Sequence, residues 1–441
     1  MRDEKKNNPV IGSHQPIGKD QERKRETVMT EVISPATPEQ LREAISWALG
    51  SKTPLEIIGS GSKISYGHAV AASHVLDLSK LTGVLFYEPE ELVMSVRAGT
   101  SLAEIHGILR DKNQQFHFEP GNFPGLLADG VADHAGTIGG LIACNISGPR
   151  RIKVGAARDH LLGFEAISGR AEDFKSGGRV MKNVTGFDLS KLMAGSFGTL
   201  SVMHTITMKV MPCDEKTRTV LIACDDMQIA GSAMTRALGS ENEVSAAAWI
   251  AREQVVKLGL DIVTGIGTGI VALRVEGPAP SVAWRCEALR KLLADIGASE
   301  ELHSANSNAF WQAVADVVPF AGGIGLLWRV SGPPASGGAI AAKLADETGG
   351  KIMMDWAGAQ IWLQLAGGDA MADKVRDIAV SYDARAVLVR APEDIRNQVP
   401  VFHAEDAALA RINARIRENF DPEGILNPGR IGHMIAKRGN A

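Results

Sequence analysis

Three glycine-rich segments, each bordering an apolar run, restrict what this chain can fold into more than any other feature. The longest is Gly136-Thr-Ile-Gly-Gly-Leu-Ile-Ala-Cys-Asn-Ile-Ser-Gly-Pro-Arg-Arg151. Gly136, Gly139, Gly140 and Gly148 allow close backbone approach to a ligand, and Thr137, Asn145 and Ser147 add neutral hydrogen-bonding groups. This is phosphate-binding chemistry; taken alone, the segment also reads as a glycine-rich turn between two core elements. Ile57-Ile-Gly-Ser-Gly-Ser-Lys63 follows the apolar run Leu55 to Ile58, as a strand entering a loop whose successive amides can form a nest for a pyrophosphate. Gly195-Ser-Phe-Gly-Thr-Leu200 leads into an alternating stretch. There Leu200, Val202, Ile206, Met208 and Val210 fall on one face and Ser201, Thr205, Thr207 and Lys209 on the other, which predicts a half-buried strand.

The 441 residues are enough for two domains with sizeable cores. A net charge of -4 offers no long-range attraction for nucleic acid or anionic lipid, and no apolar run reaches the length of a membrane span. The four cysteines, Cys144, Cys213, Cys224 and Cys286, form no CxxC pair, which argues against a disulfide framework or an iron–sulfur cluster and fits a reducing cytosol. Residues 1–30 are polar and mixed in charge, without the apolar stretch of a signal peptide. They read as a disordered extension, with Met29 an alternative start.

Thr37-Pro-Glu-Gln40 announces a first helix, with Thr37 as cap, Pro38 in the first turn and Gln40 closing a capping box. Leu41, Ala44, Ile45, Ala48 and Leu49 mark its buried face. Strands are predicted around Leu55 to Ile58, Val75 to Leu78 and Leu92 to Arg97, and Thr100 as cap of a helix carrying Leu102, Ile105 and Leu109. The alternation runs to Pro212, where the first α+β domain ends. Beyond it, strands are predicted at Val220 to Ala223, Ile270 to Val275, Leu326 to Val330 and Ile361 to Leu365, with helices around Met227 to Leu238, Trp284 to Leu293 and Ala339 to Glu347. Ser331-Gly-Pro-Pro-Ala-Ser-Gly-Gly338 reads as a turn or linker breaking this half. Near the end, Leu409, Ile412, Ile416 and Phe420 share a helical face that stops at Asp421-Pro422.

A Rossmann fingerprint fails, since neither Gly59-Ser-Gly61 nor Gly265-Ile-Gly-Thr-Gly269 completes G-x-G-x-x-G. Walker A fails at Gly350-Lys351-Ile352, and neither HExxH nor G-x-S-x-G occurs. The three glycine-rich segments in their order instead resemble the FAD-binding domain of the vanillyl-alcohol oxidase and para-cresol methylhydroxylase (PCMH) flavoproteins. Further segments carry the likeness: Gly155-Ala-Ala-Arg-Asp-His-Leu-Leu-Gly163, Lys182-Asn-Val-Thr-Gly-Phe-Asp-Leu189 and Asp421-Pro-Glu-Gly-Ile-Leu-Asn-Pro-Gly-Arg430 are similar to the lactate- and glycolate-oxidising branch. Ser147-Gly-Pro-Arg-Arg151, Gly178-Arg-Val-Met-Lys-Asn183, Met193-Ala-Gly-Ser196 and Trp356-Ala-Gly-Ala-Gln-Ile-Trp-Leu363 look like the GlcE family of glycolate oxidase FAD-binding subunits.

The resemblance implies an α+β fold: a two-subdomain PCMH-type FAD-binding domain over 31–212, then a smaller α+β domain over 213–400 with a mainly antiparallel sheet. A C-terminal helix and tail over 401–441 would return toward the flavin. It implies FAD held through Gly59, Ser60, Gly61, Ser62 and Lys63 and through Thr137, Ile138, Gly139 and Gly140. Ala143 to Gly148, with Ala143, Ser147 and Gly148, would pass the flavin, the backbone of Val202 would read the adenine, and Asn427 would close the site. Gly61 stands where some relatives carry a flavin-linking histidine, implying noncovalent FAD. Ser60, Ser201 and Thr205 depart from the customary residues. The HxGDGNxH segment of the catalytic relatives, which supplies metal ligands and a base, is absent from this sequence.

Arg150 and Arg151 are candidates for a substrate carboxylate or a flavin phosphate, with surface pairing as the alternative. His134 and His160 lie near the flavin segments, Cys144 reads as a packed small residue, and Lys63 is a phosphate partner or a solvated side chain. The implied function is that of an FAD subunit of a glycolate oxidase complex. It would act on a small 2-hydroxy acid beside companion flavin and iron–sulfur subunits, in the cytoplasm or at the inner membrane through the complex. The alternatives are a free-standing D-2-hydroxy acid dehydrogenase and a structural subunit without flavin.

Overall fold

The computed structural model describes residues 31–123, 125–127, 136–178, 187–323 and 325–432. The expectations for residues 1–30, for His134, and for most of Gly178–Asn183 and Lys182–Leu189 lie outside them. Helix Pro38–Ser51 starts as the sequence predicts: Thr37 Oγ1 accepts from the Gln40 amide at 3.3 Å, and Gln40 Oε1 accepts from Ala36 N, one residue beyond the cap. Leu41, Ala44, Ile45 and Ala48 are buried against a three-stranded parallel sheet, Glu31–Ile33, His74–Asp77 and Leu55–Ile58 in spatial order. In helix Leu102–Asp111 the cap is Ser101 rather than Thr100, because Thr100 is fully buried and its hydroxyl accepts from Gly83 N at 3.0 Å.

A five-stranded antiparallel sheet comes next, in the order Val84–Glu88, Val93–Arg97, Ser201–Lys209, Leu161–Ser168, Asp173–Gly177. Ser201–Lys209 lies inside this sheet and is buried on both faces from Ser201 to Met208, so the half-buried expectation is corrected. Its polar residues are absorbed internally: Thr207 Oγ1 donates to Ser95 Oγ, and Arg97 donates to Thr205 Oγ1. The strict alternation also breaks. Met203 pairs with Ala166 but Thr205 with Glu165, so His204 is an extra residue. Such a bulge reverses the facing of the strand beyond it; Val202 packs with Leu55 and Ile167, whereas Met203, Ile206 and Met208 join the main core.

The C-terminal half is built on one eight-stranded sheet whose pairings are all antiparallel. Its order is Ser299–His303, Lys216–Ala223, Ile270–Gly277, Ala246–Ile250, Lys351–Asp355, Gln360–Leu365, Leu326–Ser331, Arg385–Arg390. The Ser331–Gly338 turn does not break this half: it joins strand Leu326–Ser331 to helix Gly337–Thr348, and the sheet continues across it. One face packs under helices; the other shares a core with the N-terminal half, where Leu327, Trp362, Phe310 and Trp311 cluster with Ile138, Leu141 and Ile206. We place the boundary between the halves at 212/213, between the short pair of Met211–Pro212 with Gln114–Gln115 and the strand that starts at Lys216. The apolar face predicted for the last helix, Ala407–Phe420, is only partly covered: Ile416 and Phe420 pack, but Ile412 is 55% exposed. No described helix is long and apolar enough to cross a membrane.

Candidate FAD site

The loop after strand Leu55–Ile58 turns at Gly61, whose φ of 73° suits glycine. It closes with Ile64 N donating to Gly61 O and Tyr66 N to Lys63 O. Among the described residues, the amides of Ser60, Gly61, Ser62 and Lys63 donate to no protein acceptor. Opposite stands helix Ile138–Cys144, capped by Thr137. Between them is a narrow cavity of about 70 Å³ lined by residues 57–64, Thr137, Gly140, Ala143, Cys144, Phe197 and Arg430. Gly59 lets the walls meet, since a Cβ there would overlap the Thr137 hydroxyl.

Lys63 supplies the charge. Its ammonium leans on Ser62 Oγ at 3.1 Å, would overlap a Cβ at Gly136, and has no carboxylate partner among the described residues. Burial pulls the Lys63 ammonium below the usual lysine range. A buried cation beside a row of free loop amides forms a receptor for a multiply charged anion. Ser60 Oγ, buried without a partner, adds an unfilled polar position. The residues present therefore fit the pyrophosphate of FAD.

Arg430 also lines the cavity, but its charge is met by Glu56 at 2.6 Å and by the carbonyls of Ile64 and His68. It holds the tail against the loop. Asn427 does the same: Oδ1 accepts from Ile57 N and Nδ2 donates to Phe197 O, both at 2.8 Å. Asn427 thus fastens two walls of the cavity through one bond from each end of its amide.

Of the predicted residues, the structure gathers Gly59, Ser60, Gly61, Ser62, Lys63, Thr137, Gly140 and Ala143 around this cavity. The amides of Ile138, Gly139 and Gly140 are engaged within the protein: they donate to Thr100 O, Ala98 O and Thr137 Oγ1. Ile138 is core, and Gly139 packs on Ala98, whose carbonyl would lie 2.9 Å from an added Cβ. Ser147 Oγ accepts from Ala157 N, while Gly148 donates to Phe118 O and accepts from Trp356 Nε1; both brace the fold. Val202 is 1% exposed and paired with Ile167, away from the cavity lining. Arg150 is spent on Glu276 and Gln115, and Arg151 lies over the Trp356 ring at 4.3 Å. His160 bonds Val154 O beside Phe118. Sequence reasoning missed Ile64, Phe197 and Arg430 as lining residues; for Arg430 the signal was its place in the closing motif.

Residues 30–172 match the family described as FAD binding domain. Glycolate oxidase subunit GlcE of Escherichia coli (strain K12) is 32% identical over 392 residues, covering 89% of this chain and 96% of that protein. The chain belongs to the GlcE family. Glycolate oxidase subunit GlcD of Bacillus subtilis (strain 168) is 24% identical over 46% of this chain and 42% of its own length. The GlcE-family fold is also that of p-cresol methylhydroxylase solved with substrate bound: TM-score 0.67 at 14% identity, over 91% of this chain and 88% of that one.

Proposed function

We propose that this chain is the FAD-carrying subunit of a glycolate oxidase complex. It binds FAD noncovalently, serves the oxidation of glycolate or a similarly small 2-hydroxy acid such as D-lactate, and passes electrons to companion flavin and iron–sulfur subunits. The supporting observation is the uncompensated Lys63 ammonium over a loop of free amides, in a GlcE-family chain. Bound FAD would supply a hydride acceptor for the carbinol carbon. The loop amides and Lys63 fix the anionic end of the cofactor, and Asn427 and Arg430 keep that loop closed. Gly61 offers no side chain for a covalent link. Burial pushes the Cys144 thiol up to about 11, so it remains a neutral wall.

The cavity lining contains neither histidine nor carboxylate to take a hydroxyl proton. Among the described residues no group of three His, Cys, Asp or Glu could hold a metal. The lack in this sequence of the HxGDGNxH segment of the catalytic relatives favours an electron-relay role over self-contained turnover. A cytoplasmic site of action, peripheral to the inner membrane through the complex, goes with this reading. The test compares dye reduction by glycolate for the lone chain and the assembled complex at equal flavin content. The lone chain should be slow and the complex fast; equal rates would overturn the relay, and a chain that neither retains nor takes up FAD would overturn the cofactor assignment.

A further inference from the structure

We infer that Arg329 and Trp362 form the subsite that holds the carboxylate of the acid. They lie on the face of the eight-stranded sheet that turns toward the FAD cavity. The identity of the acid rests on the functional reading above; the preference for a small anion comes from the two side chains.

The two residues are direct cross-strand partners, Arg329 on Leu326–Ser331 and Trp362 on Gln360–Leu365. Arg329 Nε and Trp362 Nε1 are both buried without a hydrogen-bond partner. Neighbouring chemistry shows how unusual this is. The indoles of Trp249, Trp311, Trp328 and Trp356 all donate to protein oxygens. The buried guanidiniums of Arg150, Arg274 and Arg430 each meet a carboxylate, and those of Arg390 and Arg396 are met by backbone carbonyls; among the described residues Arg329 meets no carboxylate, and its Nε meets no acceptor. Two adjacent buried donors lacking acceptors, one of them cationic, are a costly arrangement unless a ligand completes it.

The position fits. Trp362 and Leu327 belong to the same core cluster as Ile138 and Leu141 of the cavity helix. The Arg329 charge reaches Cys144, which lines the cavity, and the Tyr66 hydroxyl, opposing the upward push that burial gives to both. Tyr66 itself packs edge-on against Phe197 of the cavity wall, 5.2 Å between centroids. On the outer side, Ser331, two residues along the same strand, lines an open depression with Arg151, Arg385 and Asp383, two cations against one carboxylate. A guanidinium pairs with a carboxylate through two parallel donors, and the indole N–H can add a third. A guanidinium with Tyr66 as a neutral neighbour, no carboxylate partner among the described residues and an apolar wall formed by Trp362 with Phe123 suits a small carboxylate.

The experiment titrates oxalate, a non-oxidisable carboxylate probe, into the purified full chain by calorimetry, alongside FAD affinity. Arg329→Met should weaken oxalate binding by about 10–100-fold and Trp362→Phe by about 3–10-fold, as for lost charged and neutral hydrogen bonds. Arg329→Lys should recover part of the loss, FAD affinity should hold, and binding of the neutral glycolamide should move less than the binding of oxalate. Unchanged oxalate affinity in Arg329→Met, or an equal loss for glycolamide, would overturn the subsite. Were Arg329→Met not to fold, unchanged affinity in Trp362→Phe would do the same. A wild-type chain that binds FAD but not oxalate refutes the subsite and leaves the flavin reading standing. A chain that binds no FAD refutes that reading, while oxalate binding lost in Arg329→Met still supports the subsite.

Discussion

Glu276 closes on Arg150 with both carboxylate oxygens, at 2.5 Å to Nη2 and 3.1 Å to Nε, joining the segment after the cavity helix to strand Ile270–Gly277. Both side chains are nearly inaccessible, 6% and 7% exposed. Removing Arg150 leaves the buried Glu276 carboxylate only the more distant Arg274 guanidinium, at 3.6 Å. Arg150→Met should therefore destabilise by about 3–5 kcal/mol, and the double change Arg150→Met, Glu276→Met should be markedly milder. Denaturant unfolding of the three proteins gives the comparison.

The same pair sets an acid limit. Burial alone would raise the Glu276 carboxyl, but the guanidiniums of Arg274 and Arg150 outweigh it and hold it at about 2. A depressed carboxyl contributes stability that is complete above the ordinary carboxylate range and is lost as pH falls through about 2. Glu276→Gln should flatten the fall in melting temperature below pH 4 while lowering stability at neutral pH.

Asp355 has the opposite sign. Burial lifts its carboxyl to about 7, although the Trp356 amide donates to it at 2.7 Å. The folded form prefers the proton, so the carboxylate costs stability progressively as pH rises from about 4 through 7. Asp355→Asn retains the acceptor and loses the charge. It should gain about 2–4 kcal/mol above pH 7 and nothing below pH 4, by the linkage of about 1.4 kcal/mol per unit. Melting curves at pH 4 and pH 8 settle the direction.

At the cavity, Lys63→Met should weaken FAD by about 10–100-fold, the worth of charged hydrogen bonds, while relieving a buried cation and leaving the apo-protein no less stable. Fluorescence titration with FAD and a thermal melt of the stripped protein measure the two effects separately.

Gly59 and Gly139 should divide along the same line. A side chain at Gly59 enters the cavity wall against Thr137, whereas one at Gly139 strikes Ala98 behind the helix. Gly59→Ala should lose FAD with a modest change in melting temperature. Gly139→Val should lose melting temperature first, and FAD only as a consequence.

Periodicity located Pro38–Ser51, Leu55–Ile58 and Met227–Leu238 because each carries its own cap, turn or apolar rhythm. It missed Ala246–Ile250, buried at every position, since an unbroken apolar run has no alternation to read. It also read Ser201–Lys209 as half-exposed, because the second covering layer comes from elsewhere in the chain. At the site, Gly59 to Lys63 were legible from glycine spacing. The engagement of the Ile138 to Gly140 amides was not, because their acceptors, Thr100 O and Ala98 O, lie about forty residues back. Arg329 was invisible for the same reason: nothing local distinguishes an arginine whose counter-charge never arrives.

The loop from Gly59 to Lys63 emerges early in synthesis, but Leu55 receives its backbone partners from Ile425 and Asn427, and the loop is pinned by Arg430. The receptor for the cofactor is therefore incomplete on a ribosome until residues 425–430 have emerged. Loading with FAD becomes a report that translation has passed Arg430: a chain cut short before Asn427 carries the full glycine motif yet leaves its loop unclamped.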